Sequence, residues 1–236
     1  MKTYLPLIIL ILMPFLKASE HTWLDTKGRS ITASFIKLNQ EDTQQPLSVT
    51  VDVKSQKVDI KWELLSLASQ EQALKLDKEL TLSKSPFIQE LSKNMVKLDG
   101  KSIKSYKPEK APNPKYIAIY YSASWCPPCK VFTPKLVEFY NKNKSDKFEI
   151  VLVSSDKEKK AMEDYIKDDK MPWLALKHSK IDSSTDTWKS FAGRSIPGMV
   201  IIDPQGNVLS HSHVDDKYLG PTKVMNDLQK LISQDS

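Results

Sequence analysis

Residues 116–130 read YIAIYYSASWCPPCK, in which a largely apolar run, residues 116–122, is followed three residues later by two cysteines separated by two prolines. A near-continuous apolar run of this length is typical of a β-strand that is covered on both faces of a sheet. Apolar residues then recur at the spacing of a helix, at Val131, Phe132, Leu136, Phe139 and Tyr140. The stretch therefore predicts a buried strand that leads into a helix, with the cysteines at the junction.

The position of the two cysteines predicts redox chemistry. Cys126 precedes a proline and is pushed out of the helical region, whereas Pro127 is favoured in the first helical turn. The positive end of the helix then favours the thiolate of Cys126, the form that attacks a disulfide. We expect Cys126 to be the nucleophile and Cys129 the resolving thiol, with Pro127 and Pro128 stiffening the loop between them.

Other interpretations of the cysteine pair have less support. The chain contains only these two cysteines, so a zinc site would need two further ligands. Covalent haem attachment requires a histidine after the second cysteine, where Lys130 stands. A purely structural disulfide across so short a loop would constrain the chain little. His211 and His213 could share a metal on one strand face, although surface histidines without cysteine or carboxylate partners are more often polar surface. We predict no metal and no cofactor other than the disulfide itself.

The C-terminal part of the chain alternates strand and helix patterns. A second apolar run, FEIVLVSS at residues 148–155, is followed by a helix with Met162, Tyr165 and Ile166 on its buried face. The segment GMVIIDPQGNVLSH, residues 198–211, predicts a hairpin, and an amphipathic helix begins at Pro221. This order predicts an α/β domain over residues 94–236, built on a sheet with an antiparallel half.

The first 18 residues are typical of an export signal. Lys2 gives a positive start, and residues 5–16 form an apolar stretch that is shorter than a membrane span. We therefore expect an extracytoplasmic protein, periplasmic or secreted, that meets the membrane only through this segment if it is left uncleaved. The formal charge is +6, from 35 Lys+Arg and 29 Asp+Glu, but the lysines are interleaved with acids. This distribution indicates a solvated surface and argues against nucleic-acid binding.

Residues 20–76 alternate in the manner of short strands, and we predict a small all-β domain there. The pattern W-x-D-x-x-G-R-x-I-x-A-x-F, from Trp23 to Phe35, resembles the bacterial relatives of the Sla-one homology domain, an SH3-like barrel. The resemblance implies fold determinants rather than a ligand site, so a spacer or docking role is expected. Residues 77–93 are polar, contain Pro86 and are predicted to be a linker.

Four segments of the second domain, YYSASWCPPCKVFTPKLVEFYNK, FEIVLVSSDKE, MPWLAL and SIPGMVIIDPQGNVL, resemble the tryparedoxin and nucleoredoxin branch of the thioredoxin superfamily. The resemblance implies a thioredoxin fold with Cys126 and Cys129 as the redox pair. It also implies a flanking Trp125, a helix-kinking Pro134 and a cis-proline at Pro197.

The resemblance further implies that two residues face the substrate. Ile196 would offer its backbone to a substrate chain, and Trp173 would border the active site. Two positions depart from the family pattern: Tyr120 stands where many thioredoxins have a buried aspartate, and Gly198 follows the cis-proline where the relatives often have threonine. The proton acceptor for the resolving thiol is therefore unassigned, with Asp156 and Glu158 as weak candidates better suited to helix capping.

These observations together predict an exported thiol–disulfide oxidoreductase. Its expected partners are disulfide-containing client proteins and an upstream thiol electron donor. The alternative is a non-catalytic extracytoplasmic binding protein, in which the β domain recognises a partner and the redox domain is only a scaffold.

Overall fold

The computed structural model describes residues 19–40, 46–110, 112–183 and 187–234. The chain divides into two compact units, Met1–Leu80 and Thr81–Ser236. The predicted export signal, residues 1–18, lies outside the described residues. Among the helices of the described ranges, none has the length and apolar character needed to cross a membrane.

The first unit contains a four-stranded antiparallel sheet, which confirms the predicted all-β region. Its strands pair in chain order: β1 (Glu20–Leu24), β2 (Ser30–Gln40), β3 (Pro46–Val53) and β4 (Gln56–Lys61). A 3₁₀ turn (Trp62–Leu64) and α1 (Leu67–Lys84) follow. Leu64 O accepts from Thr26 N at 3.0 Å and Leu24 O from Ser66 N at 2.9 Å, so the chain after β4 returns to the end of β1. In the part of the chain that is described, β1 and β4 do not pair with each other, and the SH3-like barrel stays a prediction.

The motif that begins at Trp23 holds this sheet together. Trp23 is buried, and its indole Nε1 donates to Ala33 O at 3.1 Å across the β1–β2 pair. The Asp25 carboxylate accepts from Arg29 N at 2.8 Å and pairs with Arg29 Nε at 2.6 Å, which closes the turn between the strands. Gly28 occupies that turn with a φ of +79°, a conformation that glycine adopts without strain. These contacts stabilise the fold.

The second unit contains a seven-stranded mixed sheet, as the sequence predicts. Its strands are β5 (Met95–Asp99), β6 (Ser102–Ser105), β7 (Tyr116–Ser122), β8 (Phe148–Ser154), β9 (Leu174–Leu176), β10 (Gly198–Ile202) and β11 (Val208–His211). They lie in the order β11-β10-β7-β8-β9-β5-β6. Strands β7, β8 and β9 are parallel and the other pairs are antiparallel. A short separate hairpin pairs β12 (His213–Val214) with β13 (Lys217–Tyr218).

Within the described residues of this unit, four α-helices accompany the sheet: α2 (Pro86–Lys93), α3 (Pro127–Asn143), α4 (Lys159–Asp168) and α5 (Pro221–Gln234). Helix α3 contacts α5, which packs on β10 and β11. Pro134 lies inside α3, as the resemblance implied. Every residue of β7 is buried, so the strand that leads to the cysteines runs through the middle of the core. This central strand fixes the start of α3.

The structure differs from the predicted linker over residues 77–93. Helix α1 continues to Lys84, and α2 belongs to the core of the second unit through the buried side chains of Phe87, Ile88 and Leu91. The Phe87 ring lies 5.4 Å from that of Trp188. Three apolar residues in an eight-residue polar segment are a weak signal, and their burial depends on the surface they meet.

Candidate active site

Cys126 lies in the short connection between the end of β7 and the start of α3. A turn with a 3.2 Å bond from Cys126 N to Ala123 O follows the strand, and Cys126 is the extended residue that caps the helix. Its Sγ accepts from Cys129 N at 3.3 Å. The first turn of α3 contains no acidic residue. In the reduced protein these helix N–H groups favour the thiolate of Cys126.

The two sulfurs form a disulfide, and both cysteine residues are buried. The Cα atoms of Cys126 and Cys129 are 5.2 Å apart. Cys126 retains 3% of its surface, whereas Cys129 is fully buried. Pro127 and Pro128 are exposed on the outside of the turn. The position of Cys126 at the mouth of the helix, with the small exposed surface of the pair, suits it as the attacking sulfur, and the full burial of Cys129 suits a resolving sulfur.

A second segment, residues 195–197, lies against the disulfide and is called the proline segment below. The Ile196–Pro197 peptide bond is cis, and Ile196 O lies 3.9 Å from Cys126 Sγ. The Ile196 side chain packs on the small cluster formed by Ala123 and the two cysteines. Gly198 then begins β10 and pairs with Tyr121 of β7. The fold thus brings Ile196 and Pro197 to the redox pair.

The two tryptophans predicted at the site have opposite environments. Trp125 is 62% exposed beside Cys126 and is available to a partner. Trp173 is only 1% exposed, with its ring 6.3 Å from that of Tyr120 and 5.9 Å from that of Tyr140. The predicted role of Trp173 in substrate binding is therefore wrong. Its ring lies in the core, directly before β9 begins at Leu174. The residues around Trp173 in the sequence do not show whether its ring packs in the core or borders the active site.

Buried hydroxyl groups surround Tyr120, the residue at the position of the missing aspartate. Thr133 Oγ1 donates to Cys129 O at 3.0 Å and lies 2.8 Å from Tyr120 OH and 2.6 Å from Tyr165 OH. A hydroxyl has one proton, so Thr133 accepts from both tyrosines. Tyr165 OH in turn lies 2.9 Å from Ser122 Oγ and accepts from it. Burial, with a smaller effect of Tyr165, raises the pKa of Tyr120 far above its usual range, so this phenol stays protonated and does not accept the proton of Cys129.

Asp156 has a role that the sequence did not reveal. Its buried carboxylate accepts from Ser124 N at 3.0 Å, Ser124 Oγ at 2.6 Å and Ser154 Oγ at 2.8 Å. Helix α4 begins only at Lys159, so Asp156 does not cap it and instead holds the turn that presents Trp125. Strands β7 and β8 are parallel, so they end at the same edge of the sheet. A carboxylate two residues after β8 could therefore have been predicted to lie near the turn that follows β7. Glu158 is exposed at the start of α4 and makes no side-chain cap bond.

The two histidines considered for a metal contact backbone and hydroxyl groups instead. His211 Nε2 lies 3.0 Å from Phe191 O, and His211 Nδ1 accepts from His213 N at 2.8 Å. His213 Nε2 lies 3.0 Å from Ser195 Oγ. Within the described ranges, no group of three or more His, Cys, Asp or Glu side chains could hold a metal ion. Both rings contact the loop that leads into the proline segment.

Comparison with known proteins identifies this domain. A family model described as thioredoxin-like matches residues 113–208. Tryparedoxin from Trypanosoma brucei brucei is 44% identical over 90 residues, which cover 38% of this chain and 61% of the relative. Nucleoredoxin from Bos taurus is 29% identical over 184 residues, which cover 77% of this chain and 38% of the relative. The crystal structure of a thioredoxin from Wuchereria bancrofti aligns with a TM-score of 0.44 at 31% identity, over 60% of this chain and 97% of that one.

The matched region contains the candidate site described above. Residues 113–208 include β7, the cysteine pair, the start of α3 and the proline segment. The chain nevertheless spans only 61% and 38% of the lengths of these two curated relatives. Residues 113–208 are therefore a thioredoxin-like domain, and its relatives include tryparedoxin and nucleoredoxin.

Proposed function

We propose that this protein is an exported thiol–disulfide oxidoreductase that reduces disulfides in client proteins. One observation carries the proposal: Cys126 caps α3 with the Cys129 N–H on its sulfur, beside a buried second sulfur and the Ile196 carbonyl. This arrangement stabilises a thiolate and supplies a resolving thiol, and Cys126 is the one of the two cysteines that keeps a small exposed surface. Exposed Trp125 directly precedes Cys126 in the chain.

The reaction proceeds in two exchanges. The Cys126 thiolate attacks one sulfur of the client disulfide, the client S–S bond breaks, and the other client sulfur leaves as a thiolate that takes a proton. Cys129, once deprotonated, attacks Cys126 Sγ in the mixed disulfide and releases the second client thiol. The client gains two electrons and two protons, and the protein is left with the Cys126–Cys129 disulfide.

Turnover requires an external dithiol. An upstream thiol donor attacks the Cys126–Cys129 disulfide and restores both thiols, while the donor itself becomes a disulfide. The cysteine pair is the redox group in this scheme, and no further cofactor takes part. The same residues could run the exchange in the oxidising direction, so the reduction potential of the pair against that of its donor decides the direction.

Trapping tests this function directly. We expect Cys129→Ser to accumulate mixed disulfides with clients, because the resolving sulfur is gone, and these adducts disappear on reduction. The unmodified protein should accelerate insulin reduction by dithiothreitol, and Cys126→Ser should not. Neither adducts nor insulin reduction would be observed if the chain were the non-catalytic binding protein considered above.

Export is part of the proposal and rests on the charge and apolar pattern of residues 1–18. A fusion of residues 1–25 to alkaline phosphatase without its own signal reports translocation, because that enzyme is active only when exported. We expect activity from the fusion and none when Ile8, Ile9 and Leu10 are each replaced by lysine. An inactive unmodified fusion would remove export from the proposed function.

A further inference from the structure

The hairpin of β12 and β13 is attached to the proline segment on both of its sides. On one side, His213 Nε2 lies 3.0 Å from Ser195 Oγ. On the other, Tyr218 OH donates to Pro197 O at 2.6 Å. The rings of His213 and Tyr218 lie 5.0 Å apart, so these two bonds bracket Ile196 as a pair. The residue that faces Cys126 is thus held by contacts from a separate hairpin.

The fit of the His213 ring depends on a glycine. A Cβ atom added to Gly193 would lie 2.2 Å from His213 Nδ1, so the imidazole rests directly on the backbone of the loop before Ser195. Across the described residues, Nδ1 is a buried atom without a hydrogen-bond partner. A proton on Nδ1 would be an unsatisfied buried donor, so we assign the neutral tautomer with the proton on Nε2, donating to Ser195 Oγ.

The charged and titratable groups around His213 disfavour a second proton. His211 lies on β11, Tyr218 on β13 and Arg194 in the loop, where Arg194 pairs with Asp216 at 3.3 Å. Burial first, then His211 and Arg194, lower the pKa of His213 below its ordinary value. A protonated ring would also place an N–H group at Nδ1, where Gly193 leaves no acceptor.

We propose that His213 is a positioning residue whose neutral ring holds the proline segment over the disulfide, and that mild acid releases this segment and weakens client binding. The inference deepens the proposed function and rests on it. A client chain that pairs with the Ile196 backbone must reach Cys126 Sγ, which lies 3.9 Å from Ile196 O. The groups that stabilise the sulfur, the Cys129 N–H and the start of α3, do not involve the hairpin.

The sign of the pH effect follows from linkage. A histidine whose pKa is lower in the folded arrangement than in the released one binds a proton more readily after release. The contribution of His213 is therefore complete above the ordinary histidine pKa of about 6.5 and decreases as the pH falls through the lowered value. Loss of one hydrogen bond corresponds to a change of roughly 2- to 10-fold in client affinity.

The test separates client binding from sulfur chemistry. Fully reduced protein is mixed with a fluorogenic disulfide-bonded peptide, and in parallel with hydroxyethyl disulfide, in single-turnover experiments between pH 5 and pH 8. The ratio of the two second-order rate constants cancels the pH dependence of the thiolate. For the unmodified protein, we expect this ratio to fall by roughly 2- to 10-fold as the pH decreases below the ordinary histidine pKa of about 6.5.

Two substitutions of His213 give opposite expectations. His213→Gln retains an amide N–H donor near the position of Nε2 but does not titrate. The ratio of rate constants for this variant should match that of the unmodified protein at pH 7.5 and should not decrease as the pH is lowered to 5. His213→Phe lacks the donor, so its ratio should be low at every pH. Ser195→Ala should lower the ratio at pH 7.5 without changing the packing of the ring, and His21→Gln in the first unit should leave the acid decrease unchanged.

Specific outcomes would overturn the inference. An acid decrease that persists in His213→Gln would show that another group titrates. An unchanged ratio at pH 7.5 in both His213→Phe and Ser195→Ala would show that this bond does not position the segment, and Ser195→Ala decides the point if His213→Phe fails to fold. Failure of the unmodified protein to reduce even hydroxyethyl disulfide would instead contradict the proposed function.

Discussion

The polar groups at the two ends of the central strands β7 and β8 differ in kind and in the way they are hydrogen-bonded. At the end that leads to the disulfide, Thr133 joins Tyr120, Tyr165 and the Cys129 carbonyl in a network of neutral hydroxyl groups. At the opposite end, Glu149 lies in the second position of β8 among aromatic side chains. At the disulfide end the buried carboxylate of Asp156 also holds backbone in place, through bonds from Ser124 and Ser154. At the opposite end the carboxyl of Glu149 accepts from the Tyr140 hydroxyl and lies where its charged form is disfavoured.

Glu149 is stabilised in its neutral form. Its Oε1 accepts from Ile150 N at 2.8 Å and from Tyr140 OH at 3.1 Å, but burial outweighs these bonds and raises the pKa of the carboxyl to about 7. The charge of Glu149 also contributes to raising the pKa values of Tyr106 and Tyr140, for which burial is the larger cause. The proposed redox site and the raised pKa of Glu149 thus lie at opposite ends of the same two strands.

Removal of the attacking sulfur has the largest expected effect. We expect Cys126→Ser to lower the rate of insulin reduction by more than about 10³-fold, because serine is not ionised at neutral pH and Cys129 is buried. Glu149→Gln, at the other end, should retain the rate within about twofold. Comparable losses in both variants would contradict the separation of the two ends.

The second effect concerns the pH dependence of stability. The Glu149 carboxyl binds its proton more tightly in the folded state, with a pKa of about 7 against an ordinary value of 4.5. The free energy of unfolding should therefore decrease by roughly 2–3 kcal/mol between pH 5 and pH 8 relative to Glu149→Gln. Urea unfolding at both pH values measures this difference. Exposed Glu138→Gln is the matched control, and an equal pH dependence in Glu149→Gln would contradict the assignment.

The third effect tests the hydroxyl network at the disulfide end. Thr133→Val leaves the hydroxyl groups of Tyr120 and Tyr165 without their acceptor, and we expect the free energy of unfolding to decrease by about 2 kcal/mol. Thr133→Ser retains the oxygen and should lose less than half as much. Urea midpoints measure both variants, and equal losses would indicate that the methyl group, rather than the hydroxyl, is responsible.

The smallest expected effect is at the turn before Trp125. Asp156→Asn replaces one acceptor oxygen with a donor that faces the Ser124 or Ser154 donors. We expect kcat/KM for insulin reduction to fall roughly fivefold, equivalent to about 1 kcal/mol. Ser155→Ala, an exposed neighbour, should show no decrease. Full activity in Asp156→Asn would mean that the turn holds its position without this carboxylate.

Several features of the molecule could be predicted from the sequence because they depend on residues that are close together in the chain. The strand Tyr116–Ser122 has the predicted bounds, because a short, near-continuous apolar run is typical of a strand that is buried on both faces. The position of Cys126 follows from the prolines after it, which exclude it from the helix and favour the next residue within it. The predicted mixed sheet with an antiparallel half is likewise confirmed. Each of these inferences uses periodicity or local backbone preference.

The features that the sequence did not disclose are contacts between distant residues. Asp156 meets Ser124 across 32 positions, and Tyr218 meets Pro197 across 21. Trp173 lies in the core, and α2 belongs to the second unit, because of the surfaces against which they pack. By itself the sequence determined the strand–cysteine–helix junction and the order of the elements, since both follow from short-range sterics and apolar spacing. Only the tertiary structure decided which hydroxyl, carboxylate and imidazole groups hold that junction, because hydrogen bonds are directional and their partners depend on the register between elements far apart in the chain.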